Sequence, residues 1–178
     1  VLGMTMARRD DWVNAEQQLK VAISLDPNNS QAYTDLSFAQ LFLGKSMESC
    51  ANAQKAMELD PLSVEAIQNY SFALVQSEPS EAIASINKAL ALAPESGANI
   101  MWAANIYLWA GDLTTGFDLF MSAAELESDN LHIKQQLAIL LSSVGIFDVI
   151  FEWIAEIEQA TPMHDLLFNM KINTRDAM

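Results

Sequence analysis

The chain has 178 residues, about one domain's length, and 51% of them are apolar, enough to build a sizeable core and too many for a disordered tail. Its 23 Asp and Glu against nine Lys and Arg leave a net charge of −14, the wrong sign for a surface that must neutralise phosphates, so direct nucleic-acid binding is not expected. No uncharged apolar run approaches the ~18 residues of a membrane span, and the single cysteine, Cys50, excludes an internal disulfide and a cysteine zinc cluster.

In chain order, residues 1–9 read as the remnant of a first helix and 11–25 as its partner. The latter ends in Val21-Ala22-Ile23-Ser24-Leu25-Asp26-Pro27, and that phrase returns. Lys55-Ala56-Met57-Glu58-Leu59-Asp60-Pro61 follows 34 residues later, Lys88-Ala89-Leu90-Ala91-Leu92-Ala93-Pro94 after a further 33, and Ser122 to Ser128 repeats it with Ser in place of proline. Each proline disfavours helical geometry in the residue before it and ends a helix there. Gly44, Gly111 and Gly145 lie midway between stops, suited to a helix C-terminus that needs positive φ. Each repeat is therefore a pair of helices, at 30–43 with 46–59, 63–76 with 79–92, 96–110 with 113–126, and 130–143 with 147–159. In the second pair Glu78-Pro79 replaces the glycine, one residue is missing, and Pro79 begins the next helix. Thr161-Pro162 opens a last segment whose Met163, Leu166, Leu167 and Met170 suit a helix covering the end of the stack.

Small residues fall in two rows. Ser37, Ser71, Ala104 and Ala138 mark the first helices and Ala22, Ala56, Ala89 and Ala123 the second, positions where two backbones can approach closely. Leu36, Tyr70, Tyr107, Leu137 and Leu141 interdigitate around them.

This period, with its small residue, glycine turn, late alanine and terminal Leu-Asp-Pro, resembles the tetratricopeptide repeat over roughly residues 10 to 160. The usual early Trp of the first helix is here Tyr33, Ile67, Ile100 and Lys134, and the small residue opening the second helix's core is Ala15, Ser49, Ala82, Gly116 and then Ile150. The resemblance implies an all-α, right-handed solenoid forming a single domain. It consists of a partial repeat at 1–26, repeats at 27–60, 61–93, 94–127 and 128–160, and a cap and tail at 161–178. The N-terminus begins in mid-repeat, which suggests a fragment of a longer chain.

In such a stack the first helices line an inner groove, and residues four, seven, eleven and fourteen places past each stop face a ligand. These are Gln31, Thr34, Phe38 and Leu41; Glu65, Gln68, Phe72 and Val75; Ala98, Met101, Asn105 and Leu108; and His132, Gln135, Ile139 and Ser142. An apolar and aromatic floor with amides beside it suits an amphipathic helix or extended peptide. Tetratricopeptide domains that grip a carboxylate use Lys, Arg and Asn at positions that here hold Thr34, Gln68, Met101 and Gln135, so a carboxylate clamp is not expected. The acidic third repeat, with Glu95, Asp112, Asp118, Glu125 and Glu127, could steer a basic partner.

Bland readings stand beside these. Phe38, Phe72 and Met101 also fit packing between neighbouring first helices. Trp102, Trp109, Trp12 and Trp153 read as core or inter-repeat contacts, Cys50 as an inert buried thiol, and His132 as a surface residue. No phosphate-loop, dinucleotide, nucleophile-elbow or zinc-protease motif occurs, so neither catalysis nor a cofactor is expected. The expected role is a protein- or peptide-binding scaffold in the cytoplasm. Two alternatives remain: a regulatory module, as in the arrays that follow DNA-binding or nucleotide-cyclase domains, and a homodimer formed through Leu2, Met4 and Met6 at the N-terminal end.

Overall fold

The computed structural model describes residues 9–127, 129–130 and 132–136. Over these the chain is all helix and loop: α1 Arg9–Leu25, α2 Ser30–Phe42, α3 Ser46–Leu59, α4 Val64–Leu74, α5 Pro79–Leu92, α6 Gly97–Trp109 and α7 Leu113–Leu126. It divides into two compact units, Val1–Leu119 and Phe120–Met178.

Local chemistry sets the helix limits. Asn29, Ser63 and Ser96 cap α2, α4 and α6, accepting the N–H of Ala32, Ala66 and Asn99 at 2.9, 3.2 and 3.2 Å. Asp112 does the same for α7 through the Thr115 N–H at 3.1 Å. The stops are alike too: Asp26, Asp60 and Ala93 each close the preceding helix by an N–H bond to the carbonyl of the late alanine, Ala22, Ala56 or Ala89. Gly44 and Gly111 adopt φ of 74° and 93°, and the following N–H groups of Lys45 and Asp112 reach back to the Gln40 and Tyr107 carbonyls at 2.9 Å. That is the left-handed helix stop expected of them. Where glycine is missing, Pro79 starts α5 directly.

One expectation is corrected. A helix break near residue 10 does not occur, because α1 runs unbroken from Arg9. No glycine or proline interrupts that run. The ends of α4 and α6 also fall one or two residues inside the expected limits, their flanking residues serving as caps. Residues 1–8, and with them the N-terminal dimer contact, lie outside the described residues, as do the helices expected at 147–159 and in the cap.

In the first unit each helix packs on the next, and the first helices also pack on one another, α2 on α4 and α4 on α6. Among the described residues α3 and α5 meet at most marginally, so the first helices form the closer row. The core runs through Ile67, Leu74, Ile86 and Ile106. Around it Ser37, Ser71 and Ala104 on one row and Ala56 and Ala89 on the other are fully buried, as a close helix seam requires; Ala22 is half-buried. At Gly116 the approach leaves no room for a side chain. A Cβ there would stand 2.6 Å from Leu108 Cγ and 3.1 Å from the Ala104 carbonyl oxygen.

Buried amides and hydroxyls fix the register. Asn69 on α4 donates to the Thr34 carbonyl and Ser37 Oγ of α2 at 3.0 and 2.9 Å, while Ser49 on α3 donates to the Ser37 carbonyl at 2.8 Å. One repeat on, Gln68 donates to Asn99 Oδ1 at 2.9 Å, and Asn99 Nδ2 bridges the Ala89 and Ala93 carbonyls at 2.7 and 3.0 Å. Glu16 joins α1 to α2 and to the residue that precedes α3, accepting from Lys20, Lys45 and Gln40 at 2.8, 2.7 and 3.3 Å. In the second unit, Asn130 accepts the N–H of His132 and Ile133 and opens a helical stretch at 132–136, in which Ile133 is buried.

Candidate functional site

A helix brings residues at i, i+4, i+7 and i+11 onto one stripe. On α2 that stripe is Gln31, Asp35, Phe38 and Phe42; on α6 it is Ala98, Trp102, Asn105 and Trp109; between them α4 carries Glu65 and Phe72. The rings form two groups, one where α2 meets Trp12 of α1 and one where α4 meets α6. Phe42 stacks on Trp12 at 4.5 Å between centroids, and Phe38 meets both edge-on at 4.9 and 5.8 Å. Phe72 meets Trp102 and Trp109 edge-on at 5.8 and 4.7 Å. Between these two groups lies a hollow of about 80 Å³ walled by Phe38, Leu41, Phe42, Phe72 and Trp102.

Much of this aromatic surface meets solvent. Phe42 is 48% exposed and Trp109 46%, far more than packing alone needs from rings of that size. Phe38, Leu41, Phe72, Met101, Asn105 and Leu108 are half-buried and stand on the same three helices. Thr34, Gln68 and Val75 are buried instead. The Thr34 hydroxyl donates to the Ser30 carbonyl, and the Gln68 amide is engaged by Asn99, so both support the floor from beneath. Asn105 turns its amide nitrogen onto the Met101 carbonyl at 3.0 Å. Gln135 is half-buried in the second unit, and Ile139 lies outside the described residues.

Three floor residues escaped the sequence reading: Phe42, Trp102 and Trp109. They stand eight or fifteen places past their stops, one step beyond the positions counted, and a full helical stripe would have found them. Trp102 does make the inter-repeat contact expected of it, through Phe72, and it walls the hollow as well.

The chemistry of this face is simple. Helices α2, α4 and α6 contain no Lys, Arg or His, and their two carboxylates, Asp35 and Glu65, are exposed. Among the described residues no group of three His, Cys, Asp or Glu is placed to hold a metal, and no helix is long and apolar enough to cross a membrane. Cys50 is half-buried, and burial pushes its thiol above the usual range with Glu81 and Glu78 adding to the shift, the opposite of nucleophile activation. A larger cleft of about 460 Å³ lies elsewhere, lined by Met57, Pro61, Leu62, Ile67, Lys88, Ala91 and Leu92. It is aliphatic, without an aromatic wall, and is the gap left where α3 and α5 stand apart.

A family model for the tetratricopeptide repeat matches residues 19–51, from the end of α1 into α3. No curated protein matches the chain. Solved structures do. A thermophilic tetratricopeptide protein of Thermus thermophilus superimposes with a TM-score of 0.81 at 20% identity, over 93% of this chain and 91% of that one. MamA from Desulfovibrio magneticus RS-1 gives 0.65 at 18% identity, over 88% and 90%. YrrB, described as a tetratricopeptide protein with an unusual peptide-binding site, gives 0.56 at 19% identity, over 89% and 83%. At these identities the likeness is one of fold: an α-solenoid of tetratricopeptide type, with the repeat itself recognised at 19–51.

Proposed function

We propose that this tetratricopeptide-repeat solenoid is a non-catalytic scaffold that holds a peptide segment of a protein partner against the α2–α4–α6 face. The observation that carries the reading is the solvent-open aromatic floor, with Phe42 and Trp109 close to half exposed around a hollow shaped by Phe38, Leu41, Phe72 and Trp102. Rigid aromatic surface of this kind supplies contact area at little entropic cost and is typical of interface centres. Met101 and Asn105 extend the floor along α6, Leu108 stands at its border against Gly116 of α7, and Thr34, Gln68 and Val75 hold it in shape from below. Gln135 and Ile139 continue the same sequence positions into the last repeat. A carboxylate clamp is disfavoured by the absence of any cation on these three helices.

Selection of random dodecapeptides against the immobilised protein tests this. Peptides that enrich should lose at least about tenfold in affinity, roughly 1.4 kcal/mol, on Trp109→Ser and on Phe72→Asp, with helical circular dichroism unchanged. Trp109→Ser is the safer probe, because its side chain is already nearly half in water. Enriched peptides indifferent to both changes would remove this face from the account.

A further inference from the structure

We infer that the segment held on this face is cationic: an amphipathic peptide that seats an apolar side chain in the aromatic hollow and carries Lys or Arg opposite Asp35 and Glu65. The inference rests on the reading of the α2–α4–α6 face as the binding surface and adds the chemistry of what it binds.

Charge on the face has one sign. Asp35 stands one turn before Phe38 on the same stripe of α2, and Glu65 precedes Phe72 by two turns on α4. Glu65 lies in the first turn of its helix, where a carboxylate is favoured in any case. Asp35 has no such excuse. It sits in the second turn, held towards Gln31 by a 2.9 Å bond from the Gln31 amide. Of the described lysines of the first unit, Lys20 and Lys45 pair with Glu16 and Lys55 with Glu58, while Lys88 stands on α5 at the aliphatic cleft, away from this face. Among the described side chains of the first unit none brings a cation to this face, and a neutral or acidic segment would leave two carboxylates unpaired against it. A cationic one is complementary in charge, and its guanidinium or ammonium groups are also attracted to open Trp and Phe faces. The spacing sets a ruler. Asp35 and Phe42 are seven residues apart on α2, about 10 Å, so the partner's cation and its apolar anchor should lie about two helical turns or three extended residues apart.

The same peptide selection decides the matter if run on four proteins: wild type, Asp35→Lys/Glu65→Lys, Asp35→Asn/Glu65→Gln, and a control, Glu48→Lys/Glu78→Lys. The control makes the same change in net charge at exposed carboxylates off the three stripes. Wild type should enrich Lys and Arg at that spacing from an apolar residue. Those peptides should bind the lysine variant at least tenfold more weakly and the neutral variant several-fold more weakly, while the control stays within about twofold. The neutral pair serves if the lysine variant does not fold. Enriched peptides without a cationic bias that still depend on Trp109 would overturn this inference and leave the groove standing. An equal loss in the control would overturn it as bulk attraction to an acidic protein. Self-association that Trp109→Ser abolishes would make the occupant a second copy and overturn it as well. Peptides indifferent to Trp109 and Phe72 would remove the groove reading, and this inference with it.

Discussion

Glu16 is 5% exposed yet charged, and its neighbours explain why. Hydrogen bonds from Lys20 and Lys45 lower its pKa from 4.5 to about 2, outweighing the opposing effect of burial. A carboxylate depressed in the folded state stabilises the fold fully above its unfolded value and loses that contribution as pH falls from about 4.5 towards 2. Urea midpoints followed from pH 7 down to 2.5 should fall through that window, and Glu16→Gln should flatten the fall. At neutral pH the same substitution is expected to lower stability by about 1 kcal/mol rather than 3, because Lys20 and Lys45 are 58% and 41% exposed and rehydrate readily. Gly116 poses the opposite problem, of space. Alanine would gain about 1 kcal/mol in helix propensity, but its Cβ would press on Leu108 Cγ at 2.6 Å, and overpacking of that kind costs about 1–3 kcal/mol. Gly116→Ala is expected to be destabilising in denaturant titration, and a gain in stability would show that Leu108 moves freely.

Helices meet through two different devices, a small-residue seam and a set of buried amides. Asn99 serves the second, holding the Gln68 amide and the carbonyls that end α5. Leucine at that position would leave the buried Gln68 amide without its acceptor, while the Ala89 and Ala93 carbonyls keep their backbone donors from Ala93 and Ser96, so Asn99→Leu is expected to lower stability by about 1–3 kcal/mol. A near-neutral result would mean water takes the amide's place. The seam and the punctuation were legible in the sequence, since Pro27, Pro61, Pro94, Gly44 and Gly111 act locally and any repeat of them is visible as a period. Glu78-Pro79 was legible for the same reason. The buried polar side chains were not. Gln68 and Thr34 sit seven places past their stops, at the border between the open stripe and the helix-to-helix contact, and only the packing of α2, α4 and α6 decides that they turn inward. Phe42 and Trp109 were missed for the converse reason, because one more turn of the same stripe carries them to the open side.

At the scale of the molecule, 51% apolar composition and a charge of −14 find one arrangement in the first unit, an apolar aromatic face flanked by carboxylates on helices that carry no cation. Binding to such a face combines contact with the rings and screened attraction. The affinity of a cationic peptide should therefore weaken several-fold between about 50 and 300 mM salt and then level off where the apolar term remains. The central claim, that α2, α4 and α6 present the binding surface, is tested most directly by photo-cross-linking a selected peptide carrying a benzophenone at its apolar anchor and mapping the adducts by mass spectrometry. Adducts at Phe38, Leu41, Phe42, Phe72, Trp102 or Trp109 are the expected result. Adducts concentrated instead at Met57, Leu62, Ala91 and Leu92 would place the partner in the aliphatic cleft and contradict it.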